Sequence, residues 1–282
     1  MPDETAQQPP QIGINLDIHR PHSARMYDYY LGGVTNFPAD REAAGRALDA
    51  FPNIRIAAHA NRGFMHRSIR AIAALGVDQF LDVGTGIPTS PNLHEIAQRV
   101  NPAVRAVYAD NDPIVLTHAE ALLNSTPEGR TTYVQGDVRD PGTILDAAAE
   151  TLDLSRPVAL SMNALLHFIA DRPGHGAADI VAAFTARLAP GSYLAISHFT
   201  PDFEPEATAR LVEVYRNSGT EAQARTRDEI AALFHGWRVL EPGIVSTPRW
   251  RPDADIVTVT DQQASCYAAV ARLDRSAPTR PV

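Results

Sequence analysis

The chain has 282 residues, 44% of them hydrophobic and 21% charged, with a formal net charge of −8. That fits one large α/β unit with a sizeable core, and it disfavours a basic nucleic-acid face or a surface for anionic membranes, a local arginine patch aside. All 25 basic residues are arginine, which excludes a Schiff-base or P-loop lysine, and the single cysteine, Cys266, excludes an internal disulfide and a cysteine-based zinc site.

Met1 to Gln11 is acidic and polar and lacks the apolar core of a secretory signal. No run of about 18 apolar residues is long enough to span a membrane, so a cytoplasmic location is expected. Residues 1–14 read as a disordered tail, 15–76 as a helical N-terminal segment, 77–273 as an α/β domain and 274–282 as a second tail. The run Ser23 to Asp40 holds three tyrosines, the pair Gly32-Gly33, Asn36 and Asp40. A helix over 23–31 stops at the glycines, and another follows over 39–49. A longer helix runs from Ile54 to Leu75, with Ala58, Met65, Ile69 and Ile72 on the same apolar face.

Gly76 ends that helix, and βα alternation begins. Strands are expected at 79–83, 104–109, 131–135, 157–161 and 193–197. Helices follow at 91–100, 113–124, 141–151, 176–188 and 204–217. Five strands, each followed by a helical pattern, argue for a parallel sheet. Thr226-x-x-Glu229 opens another helix as a capping box. Strands at 237–240 and 264–272 have no helical pattern between them and read as an antiparallel pair at the sheet edge.

The stretch Phe80-Leu81-Asp82-Val83-Gly84-Thr85-Gly86 is a buried strand entering a glycine turn. Two such glycines let the backbone approach a ligand where a Cβ would collide. Ligands of open parallel sheets bind outside the carboxyl ends of the strands. The residues there are Asp82, Gly84, Thr85 and Gly86 after the first strand, Asp110 and Asn111 after the second, Asp137 and Val138 after the third, Asn163 after the fourth and His198 after the fifth. A carboxylate after the second strand suits a ribose diol, one after the third an exocyclic adenine amine, and Asp82 an ammonium. Each acid also has a plain reading. Asp82 and Asp137 can be turn residues, and either Asp110 or Asp112 can cap the next helix. Asp110 is favoured as the ligand group and Asp112 as the cap. The ten histidines are scattered without metal-ligand spacing, so no metal site is expected.

Phe80-Leu-Asp-Val-Gly-Thr-Gly, Tyr108-Ala-Asp-Asn-Asp-Pro, Gly136-Asp-Val and Leu166-His167 together resemble a class I S-adenosylmethionine-dependent methyltransferase. More narrowly, Ala24-Arg25-Met-Tyr27-Asp28-Tyr-Tyr-Leu-Gly-Gly-x-x-Asn36-Phe-x-x-Asp40-Arg41 with Gly84-Thr-Gly-Ile-Pro-Thr-Ser is similar to a bacterial family long described as an uncharacterised S-adenosyl methyltransferase. The resemblance spans residues 15 to 273. It implies a doubly wound, mostly parallel seven-stranded sheet with an antiparallel edge strand behind a helical N-terminal segment. It implies S-adenosylmethionine as cofactor, with Asp82, Gly84 and Gly86 on the methionine and ribose side, Asp110 at the ribose, and Asp137 with Val138 at the adenine. Pro88 stands where the commoner pattern has a third glycine.

The N-terminal run has two readings. It is a lid whose Tyr27, Tyr30 and Asn36 reach the cofactor or acceptor, or it is helix packing. His167 lies in an apolar loop after the fourth strand, where a neutral imidazole can serve as a general base; the plain alternative is a structural histidine bonded to a carbonyl. That loop position also resembles the Leu-His of small-molecule O-methyltransferases. His198 is the rival base. The expected activity is methyl transfer to a small molecule, without nucleic acid or membrane as partner. The alternatives are an NAD(P)-dependent oxidoreductase, disfavoured by Thr89 at the third glycine position, and a non-catalytic S-adenosylmethionine-binding protein.

Overall fold

A computed structural model of the chain describes residues 17–122, 124–254 and 257–274. The tail expected over 1–14, and all but the first residue of the one over 274–282, lie outside these residues. Three helices lead: α1 (Ser23–Tyr30), α2 (Pro38–Ala50) and α3 (Ile54–Ala74). The alternating part follows as β1 (Gln79–Val83), α4 (Leu93–Val100), β2 (Arg105–Asp110), α5 (Pro113–Leu122), β3 (Arg130–Gln135), α6 (Pro141–Ala148), β4 (Ala159–Asn163), α7 (Ala177–Thr185) and β5 (Tyr193–Phe199). The chain ends through α8 (Pro205–Asn217), α9 (Arg227–Ala232), β6 (Arg238–Val239), β7 (Val245–Ser246), α10 (Asp261–Ala264) and β8 (Cys266–Arg272).

The sheet has eight strands, not seven. Seven run in the order β3-β2-β1-β4-β5-β8-β6, and the two-residue β7 pairs with β8 off that path. Strands β1 to β5 are mutually parallel, whereas β8 is antiparallel to β5 and to β6. The antiparallel strand therefore sits one place in from the edge, with the short β6 covering it.

Period-2 side-chain alternation assigns the two faces. Phe80, Ala106, Tyr108, Ala159, Tyr193 and Val270 pack against Phe64, Met65, Ile69 and Ile72 of α3 and Leu93 and Ile96 of α4. Leu81, Val107, Leu160, Met162, Leu194 and Ala271 pack against α6, α7 and α9 through Ile144, Val181, Phe184 and Ile230. A one-residue slip in any strand would exchange these sets, so burial on both faces fixes the register. Leu75, assigned to the apolar face of α3, is 57% exposed because that helix ends at Ala74. The capping box at Thr226 and Glu229 forms as expected.

A third cluster joins the N-terminal helices to the rest. Met26 and Tyr30 of α1, Ala43, Ala44 and Ala47 of α2, Ile54 and Ala58 of α3, and Leu211 and Tyr215 of α8 pack together. The chain leaves β1 toward β2 and β3 on one side, and β4 and β5 lie on the other. The crevice at the carboxyl ends beside β1 is thus the topological switch point. Helix α1 bridges it: Ala24 packs beside Ile87 and Ile114 on the β1–β2 side, and Tyr30 joins the cluster that Phe168 and Phe199 border beyond β4 and β5.

Among the described residues no helix is long and apolar enough to cross a membrane, and no group of histidine, cysteine or acidic side chains could hold a metal ion.

Candidate functional site

Gly84 and Gly86 adopt left-handed backbone, φ +71° and +67°. A Cβ at Gly84 would stand 2.5 Å from Leu165 Cδ1, so this turn needs glycine for both conformation and space. The turn is latched to β2: Gly84 N–H donates to Ala109 O (2.8 Å), and Gly86 N–H donates to Asp110 Oδ2 (2.8 Å). Asp112 N–H donates to the other oxygen, Asp110 Oδ1 (3.0 Å). Asp110 is only 6% exposed, and burial raises its carboxyl pKa against these N–H bonds. Two carboxylate oxygens offer about four lone-pair sites, so each can accept once more from a ligand.

A cavity of about 510 Å³ opens over these strand ends. Of the residues expected to bind cofactor, Asp82, Gly84, Thr85, Gly86 and Asp110 line it. So do Asn111, Val138, Asn163 and Tyr27. Burial pushes the Asp82 carboxyl up to about 6, opposed by hydrogen bonds from Ser161 and Thr85 and by the Arg62 charge. Asn163 donates through Nδ2 to Ser161 Oγ (2.9 Å), while its buried Oδ1 has no partner. Sequence reasoning missed Arg62. This α3 residue lines the cavity and ties down the loop after Gly86 by donating to Thr89 O and, at 2.9 Å, to Pro91 O. Nothing in the local pattern marks it, since it belongs to an ordinary helical repeat.

Four expected site residues, Asn36, Asp137, His198 and His167, do not line this cavity. Asn36 does not line the cavity. Its Nδ2 donates to Asp28 Oδ2 (2.8 Å) and Gly33 O (3.0 Å), and its Oδ1 accepts from Arg41 Nη1 (3.0 Å), so it knits the turn between α1 and α2. Asp137 is also off the cavity wall. Its half-exposed carboxylate turns back to accept from Arg139 N–H (2.9 Å), while its neighbours Gly136, Val138 and Arg139 face the cavity. His198 lies within β5, which extends two residues beyond the expected end, and is fully buried. Its Nδ1 lies 2.7 Å from Phe199 O and its Nε2 lies 2.8 Å from Arg225 Nη1. Arg225 can only donate, so Nε2 accepts and Nδ1–H donates to the carbonyl. No ring nitrogen is left for an acceptor, and His198 is withdrawn as a base.

Arg225 is itself a structural staple. Its guanidinium, 1% exposed, reaches Leu166 O, Ile169 O, His198 and both oxygens of Asp171, which fixes the loop after β4. His167 stands on that loop in a 3-10 turn, Leu166–Phe168. It lines a second cavity, not the first. Burial and the Arg225 charge push its imidazole down to about 3, so it is neutral near pH 7. Its Nδ1 is buried without a partner.

The N-terminal run meets the site through Tyr27 and the stretch before it. His22, Ser23, Ala24 and Arg25 line the main cavity, whereas Tyr30 hydrogen-bonds Tyr215 (3.3 Å) within the helical cluster. Arg25 Nε lies 3.3 Å from Asp40 Oδ1 and 3.8 Å from Asp112 Oδ2, and His22 Nδ1 lies 3.1 Å from Asp112 Oδ2. Asp112 caps α5, with Oδ1 accepting from Ile114 N–H (3.0 Å), and also anchors the N-terminal segment to the end of β2.

The cavity fits an adenosyl sulfonium amino acid. It presents two buried carboxyls, Asp82 and Asp110, a side-chain-free turn between them, the apolar Val138 and the unpartnered Asn163 Oδ1. A scan against family models matches residues 9–274 to one described as S-adenosyl methyltransferase. A crystal structure of a DUF574 family protein from Streptomyces avermitilis is 46% identical, with a TM-score of 0.87, over 91% of this chain and 99% of that one. The structure of a candidate methyltransferase from Thermobifida fusca is 38% identical, with a TM-score of 0.85, over 92% and 97%. A search of the curated proteins gives no match. With its glycine turn, strand-end acids and N-terminal helices in the places that this family model spans, the chain belongs to the S-adenosyl methyltransferase family, whose cofactor is S-adenosylmethionine.

Proposed function

We propose that this chain catalyses methyl transfer from S-adenosylmethionine to a small-molecule acceptor. One observation carries the reading: Asp82, Gly84, Gly86, Asp110 and Val138, scattered over three strand ends, converge on one cavity of about 510 Å³. Asp110 accepts from the ribose hydroxyls, Val138 and the backbone of Gly136 border the adenine, and Asp82 faces the ammonium. Arg62 supplies positive charge at the amino-acid end. When bound, the cofactor supplies a methyl group activated by its sulfonium.

The protein's own task is to hold the acceptor in line with that methyl group and to keep water out. The stretch from His22 to Tyr27 serves as a wall over the cavity. His167 is the candidate to receive a hydrogen bond from the acceptor. Its low basicity means that it orients the acceptor's proton and takes it up only as the acceptor reacts.

The nicotinamide alternative loses its support with the family match. The test is Asp110→Ala with S-adenosylmethionine titrated by calorimetry. A hydrogen bond to a charged group is worth roughly 1.5–3 kcal/mol, so affinity should fall about tenfold to over a hundredfold. Unchanged affinity in a folded variant would refute the assignment. Incubation of labelled cofactor with a metabolite extract then separates a methyltransferase from a silent binder.

A further inference from the structure

The main cavity does not end at Tyr27 and Asn61. Both residues also line a second cavity of about 80 Å³, as do Ser23, Ala164 and Phe168. Tyr27 Oη donates to Ala58 O (3.0 Å) and accepts from Asn61 Nδ2 (2.8 Å), and Asn61 Oδ1 accepts from Ser197 Oγ. Ala164, held at φ +52°, donates its N–H to Ser197 Oγ (2.9 Å). This chain of bonds is a fixed polar seam between the two spaces. The second space lies over the β4–β5 side, away from the β2–β3 side where Asp110 and Val138 stand. With the adenosine held by Asp110 and Val138 and the ammonium by Asp82, as proposed above, the cofactor would present its sulfonium on the seam's side of the cavity.

The second cavity has a different chemistry. Among the described residues no acidic or arginine side chain lines it. Its walls are aromatic: Tyr30, Phe51, Phe168, Phe199 and Tyr215, with the imidazole of His167. The rings meet edge to face. His167 and Phe168 are 4.4 Å apart at 66°, Phe168 and Tyr215 5.3 Å at 62°, and Phe51 and Phe199 5.9 Å at 75°. Such walls favour a further ring, and an ion buried among them would have no counter-charge. The nearby Arg225 is already saturated by its own acceptors. The Tyr27 hydroxyl is committed to Ala58 and Asn61, and Tyr30 and Tyr215 share one hydrogen bond, which leaves one of their two O–H groups free to donate. Among these walls the buried acceptor without a partner is Nδ1 of the neutral His167 imidazole.

We propose that this second cavity is the acceptor subsite, and that it takes a neutral, single-ring aromatic alcohol, a phenol, whose hydroxyl donates to the His167 imidazole. The assignment rests on the methyltransferase reading. An apolar cavity of about 150 Å³ holds benzene. A space of about 80 Å³ therefore takes one ring only in part, with the rest of the molecule remaining beside Tyr27 and Asn61. Anions such as phosphate esters, and fused ring systems, do not fit.

The experiment uses the full chain loaded with S-adenosylhomocysteine and reads binding by ligand-observed NMR. The probes are phenol, fluorobenzene, benzoate and benzylamine. Phenol should bind at least about fivefold more tightly than fluorobenzene, the value of one hydrogen bond, and tenfold or more tightly than benzoate or benzylamine. His167→Leu should abolish the preference of phenol over fluorobenzene, whereas His167→Gln, which keeps an acceptor, should retain part of it. Ala57→Phe, which fills the cavity, should abolish binding of both rings while S-adenosylhomocysteine still binds. Equal or tighter binding of benzoate or benzylamine, or phenol binding untouched by Ala57→Phe, would overturn the proposal. Failure of S-adenosylhomocysteine to bind would instead overturn the methyltransferase reading beneath it.

Discussion

The two cavities share a wall and are built on opposite plans. The larger is made by strand ends and the turns that follow them. Its polar groups are placed by backbone: Asp110 is gripped by two N–H groups, and Gly84 and Gly86 hold conformations that a side chain would forbid. The smaller is made by helices far apart in the chain, α1, α3 and α8, with the loop after β4, and its walls are rings. Backbone-placed polar groups tolerate little change, because each one also holds its neighbour's hydrogen bond. A wall of packed rings can be refitted by exchanging side chains of similar volume. A chain built this way can keep its cofactor and change its acceptor.

The strongest way to break this contrast is to unpin the loop that borders both cavities. Arg225→Ala removes a buried guanidinium and strands two backbone carbonyls and His198. Each buried polar group left unpaired costs about 1–3 kcal/mol, so the summed loss should be about 3 kcal/mol or more, which urea denaturation would read directly. A loss below about 1 kcal/mol would show that the staple is dispensable.

A smaller effect separates the two histidines. With a methyl acceptor bound, His167→Ala should lower turnover about a hundredfold while cofactor affinity stays near wild type. His198→Ala should mainly lower stability, since both of its ring nitrogens serve the fold. If His198→Ala abolishes turnover in a stable protein and His167→Ala does not, the roles are reversed.

The main cavity alone should respond to pH. The Asp82 carboxyl, raised from 3.8 to about 6, is largely protonated at pH 5 and largely ionised at pH 7. Only the ionised form attracts an ammonium, so cofactor affinity should rise about tenfold over that interval and level off above it. Asp82→Asn should flatten the profile. The same raised pKa has the opposite effect on folding. Its stabilising contribution is full below about 4 and is lost as pH rises through about 6, so Asp82→Asn should steepen the fall in stability on acidification that the depressed His66 and His167 produce below about 6.5.

The smallest effect on either cavity is expected at Asn36. Asn36→Ala should cost about 1 kcal/mol of stability by leaving Asp28 and Arg41 short of partners, while cofactor affinity in a calorimetric titration stays within about twofold. A tenfold loss of affinity would restore Asn36 to the site.

The sequence alone determined the parallel sheet, its order of elements and most of the residues that line the main cavity. These follow from local rules that a linear text carries. Apolar runs of strand length, glycines at fixed spacing and acids at strand ends all lie within a few residues of one another, and the topology of parallel sheets brings the strand ends together whatever else the chain does. Even within those rules, side-chain direction was not legible. Asp137 turned toward Arg139, whose backbone N–H and guanidinium lie two residues on, and Asn36 was captured by Asp28 and Arg41. His198 fell inside its strand because β5 continues as long as β8 pairs with it, out to Phe199 and Cys266. Arg62, Arg225 and the aromatic cavity were decided only by tertiary structure. Arg225 meets partners 27 to 59 residues away in sequence, and α1 and α8 bring together rings 185 residues apart, as Tyr30 and Tyr215 show. Such contacts arise from the packing of amphipathic helices, whose periodicity marks a buried face but not what that face will meet.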